Sequence, residues 1–90
     1  REDPVSEQLV GSVTHFFGKA GVIALEITAG ELRVGDTIRV TGHLTDFTET
    51  VTSMQIEHDQ VTAVKPGDLV GIRVAGKARP GDDVYRVLPG

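Results

Sequence analysis

A Gly-Asp pair that leads into an alternating strand occurs three times in this chain. The copies lie at residues 34–40, 66–74 and 80–87, and proline precedes the glycine in the second and third copies. Proline sets the first φ of a type II turn and glycine accepts the positive φ that follows, so each copy predicts a turn at the entry of a strand. Two interpretations are open: three related ligand-binding loops, or three structural turns of one β-barrel. The mixture of turn residues and strand alternation favours the second.

Strand-forming residues dominate the rest of the chain. Valine, threonine and isoleucine make up 27 of the 90 residues, and β-branched side chains pack well on a pleated sheet. Apolar and polar side chains alternate, most clearly at Ile23, Leu25 and Ile27, and no window keeps the spacing of an amphipathic helix. The pattern predicts six strands, at residues 9–16, 21–27, 36–42, 48–58, 68–75 and 83–88, with loops at 43–48 and 59–67. Short strands with glycine turns indicate an all-β barrel or sandwich over residues 9–90, after a flexible tail over residues 1–8.

Composition narrows the classes of function. Ninety residues hold one domain with a modest core, and the absence of cysteine excludes disulfides, thiolate metal ligands and a cysteine nucleophile. The formal net charge of −4 argues against a strong electrostatic grip on RNA, which needs a basic face. No stretch approaches the roughly 20 apolar residues of a membrane-spanning helix, and the charged start is not that of a signal peptide. We therefore expect a cytoplasmic protein that does not contact a membrane.

Residues that could do chemistry are scattered. The three histidines, His15, His43 and His58, share no metal-binding spacing, so we expect no metal. No serine lies in the nucleophile pattern of hydrolases, and Asp82-Asp83 falls in a predicted turn, where carboxylates cap the chain. We expect no catalytic residues, no cofactor and no enzymatic activity.

The segment from Phe16 to Gly21 is the strongest candidate for binding. It contains two of the three phenylalanines, the cation Lys19 and two glycines, and it lacks the pattern of a phosphate loop. As a hairpin connection it would expose Lys19 beside an aromatic ring, which could stack on a base or contact a partner. The alternative is structural: one phenylalanine closes the end of the barrel and Lys19 is only solvated.

A family resemblance follows from the residues of this segment and beyond. The stretches 18–27 and 29–38, with Gly-Asp at residues 35–36, and the later stretch 64–74 resemble the second domain of elongation factor Tu and other translational GTPases. The two motifs occur in the same order as in that family and together cover most of residues 9–88. The resemblance implies a six-stranded closed antiparallel barrel and a binding module that contacts the ribosome, tRNA or a translation protein.

The chain also departs from that family. It has no phosphate loop and no guanine-specificity motif, so we expect no GTP binding. The positions that match the family's aminoacyl-tRNA pocket are Gly11, Ser12, Thr14, Gln55 and His58, which do not reproduce its acidic, aromatic and basic residues. Ala20 stands where the family commonly has glycine.

Two hypotheses of function remain. In the first, a stand-alone module linked to translation binds RNA or a translation factor through Phe17, Gly18 and Lys19, with His58 and the outward arginines Arg39, Arg73 and Arg86 contributing to one basic patch. In the second, the barrel is a protein-interaction or accessory domain without RNA contact, and it exposes an apolar patch with balanced charges. The resemblance favours the first hypothesis and the net charge favours the second. The sequence does not decide the oligomeric state.

Overall fold

The computed structural model describes residues 6–88, and every regular element in this range is a β-strand, which confirms the all-β prediction. The ten strands are β1 (Ser6–Phe17), β2 (Val22–Ile27), β3 (Leu32–Arg33), β4 (Thr37–Thr41), β5 (Asp46–Thr50), β6 (Met54–Ile56), β7 (Asp59–Val61), β8 (Ala63–Val64), β9 (Leu69–Arg73) and β10 (Asp83–Leu88). Within the described residues, no helix of the kind that crosses a bilayer is present.

The strands form two sheets rather than one closed barrel. Eight of them build an antiparallel sheet in the order β5-β4-β10-β1-β2-β9-β6-β7, while β3 pairs with β8 in a separate two-stranded ribbon. The prediction of a closed six-stranded barrel is therefore wrong in two respects. The described residues form ten strands, and among residues 6–88 no backbone pairing joins the end strands β5 and β7. The loop after β3 lies between these ends: the Val34 N–H donates to the Thr62 carbonyl at 3.0 Å and the Gly35 N–H donates to the Val51 carbonyl at 2.8 Å. Two bonds from a loop thus span the gap in a barrel-like domain.

The range predicted as one strand, residues 48–58, contains the end of β5, the whole of β6 and a turn after β6. Residues 51–53 separate β5 from β6, and Glu57 and His58 then form a two-residue turn that pairs β6 with β7. Both turn residues have positive φ, 51° and 71°, which is the backbone of the tight hairpin turn usually occupied by Asn-Gly. The loops predicted at 43–48 and 59–67 are correspondingly shorter, because β5 begins at Asp46 and β7 begins at Asp59.

The first strand is long and bulged. Residues 1–5 of the predicted tail lie outside the described residues, whereas Ser6–Gln8 already belong to β1 and pair with β10. The register of β1 shifts between Leu9 and Gly11 against β10, and between Val13 and His15 against β2. Each bulge turns the following side chains to the other face. Val10 and Val13 consequently both point into the core, while His15 and Phe17 point outward.

One hydrophobic core collects the inward faces of the strands. The predicted alternation on β2 is confirmed, since Ile23, Leu25 and Ile27 are all buried. Every second residue of β4 and β9 joins the same core. Burial of each such side chain contributes roughly 1.5–3 kcal/mol to the stability of the fold.

The three Gly-Asp copies are structural turns, as the second interpretation held. Each glycine has a φ between 93° and 99°, and each turn leads directly into β4, β9 or β10. In each turn the Asp side chain accepts a backbone N–H from three residues earlier: Arg33 to Asp36 at 2.9 Å, Lys65 to Asp68 at 3.0 Å, and Arg79 to Asp82 at 2.8 Å. The carboxylates are engaged within their own turns and are not three related ligand loops.

Each Gly-Asp turn is also joined to one buried residue of another part of the chain. The glycine N–H donates to the carbonyl of the buried residue, and the N–H of the buried residue donates to the Asp carbonyl. The three buried residues are Val51, Ile27 and Val13. All six bonds are 2.7–2.9 Å long. The repeat in the sequence is therefore one backbone arrangement used three times.

Candidate functional site

A groove of about 370 Å³ lies on the outer face of the sheet where β2, β9, β6 and β7 adjoin. Ala24, Gly71, Gln55 and Gln60 are directly opposite one another across these four strands. Directly opposed residues carry their side chains on the same face, so this row crosses the outer surface. Gly71 lies at the centre of the row, the two glutamines border one side and Arg73 borders one end.

An aromatic pair stands beside the groove on β1. The rings of His15 and Phe17 stack with centroids 5.9 Å apart and an angle of 12° between their planes. Phe17 is 51% exposed and lies opposite Val22, which in turn lies opposite Arg73. Phe16 points the other way and packs against the core. Phe17 thus has the exposed position that binding would require, and Phe16 has the structural position of the alternative.

Gly71 is a glycine that the fold does not require. Its φ is not positive, and a Cβ added to it would meet Val22 Cγ1 at 3.4 Å and the Gln55 carbonyl oxygen at 3.9 Å, which are ordinary contacts. A glycine inside a strand destabilises it by roughly 0.5–1 kcal/mol relative to alanine. Such a glycine often marks a place where another molecule or backbone approaches closely.

Most of the other described glycines, unlike Gly71, have a structural reason to be glycine. Five have positive φ, and a Cβ on Gly11, Gly42 or Gly76 would overlap a neighbouring group. Only Gly18 resembles Gly71, since its Cβ would have open space apart from Phe16 Cε2 at 3.5 Å. Gly18 belongs to the β1–β2 turn, whose Ala20 lines the groove. Of the two glycines without a structural reason, Gly71 lines the groove and Gly18 lies two residues before Ala20 of the groove.

The structure brings only part of the predicted binding residues together. Phe17, Gly18, Lys19 and Arg73 gather around the β1–β2 turn and the adjoining end of β9. His58 lies in the turn between β6 and β7, two residues before Gln60 of the groove.

Two of the three arginines expected in one basic patch lie elsewhere. Arg39 is on the outer face of β4, opposite Tyr85. Arg86 is opposite the buried Ile38, so it faces inward rather than outward, and its Nε lies 3.4 Å from Asp36 Oδ2. No shared patch of Arg39, Arg73 and Arg86 exists.

Arg39 is occupied by carboxylates of this chain. Its Nε lies 3.1 Å from Asp46 Oδ1 and its Nη1 lies 3.1 Å from Glu7 Oε2. The hydrogen bond from Arg39, together with its charge, holds the pKa of Asp46 below its ordinary value, and the two carboxylates raise the pKa of Arg39. A partner that used Arg39 would have to compete with both of them.

Sequence reasoning missed the groove itself. Gln55, Gln60 and Gly71 come from three strands, and their meeting depends on the register of β6 with β7 and β9. Gly71 carried a usable signal, because a glycine between Val70 and Ile72 interrupts an otherwise apolar strand. Among residues 6–88 no group of three or more His, Cys, Asp or Glu side chains is placed to hold a metal ion.

The fold is that of a small barrel-like β-domain with an open groove on its outer face. The chain belongs to the elongation factor Tu domain 2 family, whose model matches residues 21–85. The positive φ angles of Gly21, Gly30, Gly35 and Gly67 explain the match, since the glycines of the family motif specify backbone turns rather than a ligand.

The relatives found by sequence are proteases. An uncharacterized protease of Methanocaldococcus jannaschii is 39% identical over 77 residues, which cover 84% of this chain and 19% of that protein. A collagenase of Porphyromonas gingivalis is 36% identical over 78 residues, which cover 86% of this chain and 22% of that protein. The chain thus spans about a fifth of the length of these relatives.

Two solved structures with the same fold are also part of a putative peptidase. Two structures of the C-terminal domain of a putative U32 peptidase from Geobacillus thermoleovorans superpose with TM-scores of 0.80 and 0.81, at 19% and 18% identity. The matches cover 86% and 88% of this chain and 96% and 91% of those chains. At this identity the likeness shows the fold.

The prediction of a module linked to translation is wrong. The protease relatives overturn it, although the resemblance identified the fold family correctly. The motifs that carried the resemblance describe turns and strand alternation, which proteins of different function share. The second hypothesis, an accessory domain, agrees better with these relatives.

Proposed function

We propose that this chain is a non-catalytic accessory domain of a U32-type peptidase and that it binds polypeptide in the groove on its outer face. The observation that carries the proposal is Gly71, a mid-strand glycine with room for a Cβ, at the centre of that groove. Without a side chain there, a bound backbone can approach the sheet closely.

The groove offers chemistry suited to peptide groups. Gln55 and Gln60 each present an amide that both donates and accepts hydrogen bonds, as a peptide backbone requires. Val22 and the exposed ring of Phe17 add apolar surface on the β1 side. An extended polypeptide can satisfy its backbone on the glutamines while its side chains contact the apolar residues.

A non-catalytic role agrees with the placement of the reactive side chains. His15 stacks on Phe17, and His58 is part of a tight turn. The buried carboxylate of Asp82 accepts the Arg79 N–H within its own turn. Since the matched part is about a fifth of the protease relatives, the proposal assigns their peptide-bond hydrolysis to the rest of those proteins.

The test compares binding and stability in one variant. Gly71→Ala places a methyl group in the groove floor, and we expect binding of fluorescently labelled heat-denatured collagen to weaken at least tenfold. The free energy of unfolding should stay unchanged or rise by about 0.5–1 kcal/mol, because alanine restricts the unfolded chain more than glycine does. Fluorescence anisotropy measures the first quantity and urea unfolding the second.

Thr48→Ala on the outer face of β5 is the matched control and should bind like the wild type. Labelled unfolded casein serves as a second polypeptide. If the wild type bound neither polypeptide, or if Gly71→Ala bound both as well as the wild type does, the proposal would be wrong.

A further inference from the structure

The lysines and arginines of this acidic domain divide into two groups. Among the eight within residues 6–88, four have a carboxylate within 4 Å: Arg33 with Glu31, Arg39 with Glu7 and Asp46, Lys65 with Asp68, and Arg86 with Asp36. For the other four, Lys19, Arg73, Lys77 and Arg79, the described part of the chain supplies no carboxylate at that distance.

These four cations lie in two neighbouring segments. Lys19 belongs to the β1–β2 turn, and the other three lie between residues 73 and 79, at and after the end of β9. The Val74 N–H donates to the Gly21 carbonyl at 2.8 Å and joins the two segments. One end of a domain whose net charge is −4 is therefore locally positive.

Three carboxylates near this end, those of Glu49, Asp82 and Asp83, offset only part of its four positive charges. Glu49 directs both oxygens at the Ala75 N–H, each at 2.9 Å, and so fixes the backbone two residues before Lys77. Asp82 is buried and accepts the Arg79 N–H. Both acids hold the loop that carries the cations and leave the cationic side chains free of ion pairs with them.

A pocket of about 420 Å³ lies beside two of these cations. Phe16, Leu44 and Ala78 give it apolar walls, and Lys77 and Arg79 give it a positive rim. Leu44 is 66% exposed, although it belongs to a turn that Gly42 and Thr45 close with reciprocal backbone hydrogen bonds. The pocket therefore combines apolar walls with a positive rim, a combination that could hold an apolar side chain next to an acidic one.

We propose that this pocket binds an acidic segment of a separate polypeptide. A carboxylate side chain would lie against Lys77 and Arg79, and a neighbouring apolar side chain would pack on Phe16 and Leu44. Charge complementarity selects such a segment, and the apolar walls offer nothing to a phosphate backbone. The pocket is distinct from the groove at Gly71, and this proposal does not depend on that one.

The position of the pocket favours a separate chain over the polypeptide joined to this domain. Ser6 and Leu88 are paired with each other at the start of β1, whereas Phe16 is near its other end. A strand rises about 3.3 Å per residue, so roughly 30 Å separates these two ends of β1. Polypeptide that continues from either end of the described range starts away from the pocket.

The test uses a fluorescein-labelled peptide of alternating glutamate and leucine, its lysine–leucine analogue, and a single-stranded RNA oligonucleotide. We expect the acidic peptide alone to bind, with an affinity that falls as salt is raised. The double variant Lys77→Glu with Arg79→Glu should bind at least tenfold more weakly. The matched control is Arg33→Glu with Lys65→Glu, at β3 and directly after β8. It makes the same change in net charge and should stay within about twofold of the wild type.

Three results would overturn the proposal. They are equal losses in the two double variants, binding of the RNA without binding of the acidic peptide, and no binding of the acidic peptide at low salt. If the glutamate variants fail to fold, Lys77→Gln with Arg79→Gln and the separate variant Leu44→Ala test the same contacts, and unchanged affinity in both would be contrary evidence. Gly71→Ala should bind the acidic peptide normally, so this proposal and the proposed polypeptide groove can fail independently.

Discussion

Replacement of Asp82 by alanine tests whether the Gly-Asp turns are structural. The Asp82 carboxylate accepts the Arg79 N–H at 2.8 Å in a partly buried setting, and the residue is only 6% exposed. Its side chain also occupies the space that a Cβ on Gly42 would need. In the second copy, Asp68 makes the same bond with the Lys65 N–H in an exposed setting.

The burial of the two copies sets the expected magnitudes. A hydrogen bond to a charged acceptor contributes about 1.5–3 kcal/mol, and a donor left unpaired away from water loses that contribution in full. Asp82→Ala also leaves a small void against Gly42, so we expect a loss of about 2–3 kcal/mol in the free energy of unfolding. Asp68→Ala should cost about 1 kcal/mol, because water replaces the lost acceptor. For a domain of this size, 1 kcal/mol corresponds to roughly 4–8 °C in Tm.

Urea unfolding followed by far-ultraviolet circular dichroism measures both losses. Asp82→Asn keeps an acceptor oxygen of the same shape without the charge, and it should fall between the wild type and Asp82→Ala, near 1 kcal/mol. The reasoning would be refuted if Asp82→Ala cost no more than Asp68→Ala, since burial would then not govern the strength of the turn.

Two further changes probe single contacts. In Arg39→Gln, the pKa of Asp46 should rise to its ordinary value, because Arg39 holds it down. The pair stabilises the fold above the ordinary carboxyl pKa and loses that contribution as the pH falls through the lowered one, so the variant should lose this part of its acid sensitivity. An NMR titration of the Asp46 carboxyl carbon checks this, and an unchanged pKa would contradict it. The double change Glu57→Asn with His58→Gly should stabilise the domain by about 1 kcal/mol, because both residues have positive φ and Asn-Gly is the pair favoured in such a turn. Urea unfolding measures the change, and a destabilised variant would count against the turn assignment.

Local structure was largely predictable from the sequence. The alternation of Ile23, Leu25 and Ile27 identified the buried face of β2, and the last strand, at residues 83–88, was predicted with the bounds that the structure shows. The Gly-Asp pairs identified three strand entries, because a positive φ leaves glycine as the favoured residue. These features depend on residues that are adjacent in the chain, and the sequence shows such residues directly.

Features that depend on distant residues were missed. The turn at Glu57 and His58 has no glycine, asparagine or proline to mark it, so β6 and β7 were predicted as one strand end and a loop. The open edge between β5 and β7 depends on where residues 34–36 lie, which alternation does not report. The expected patch of three arginines failed at Arg86, because one residue of register decides which face a side chain occupies.

The same limit applies to the two proposed binding surfaces. The sequence marks Gly71 as a glycine within an apolar strand, but only the space around it distinguishes it from Gly11, which also lies within a strand and has no room for a Cβ. The grouping of Lys19 with Lys77 and Arg79 likewise rests on the contact between Val74 and Gly21. The net charge of −4 conceals this grouping, because summed charge carries no position.

The pairing of β1 with β10 also governs when the domain can fold during biosynthesis. β10 is the last of the ten described strands to be made, and until it is complete β1 lacks one of its two neighbours in the sheet. The bonds that join Val13 to Gly81 and Asp82 are missing over the same interval. Pairing between strands so far apart in the chain is slow, with all-β domains needing milliseconds to seconds. The complete eight-stranded sheet can therefore form only after residue 88 has been added and is free to pair.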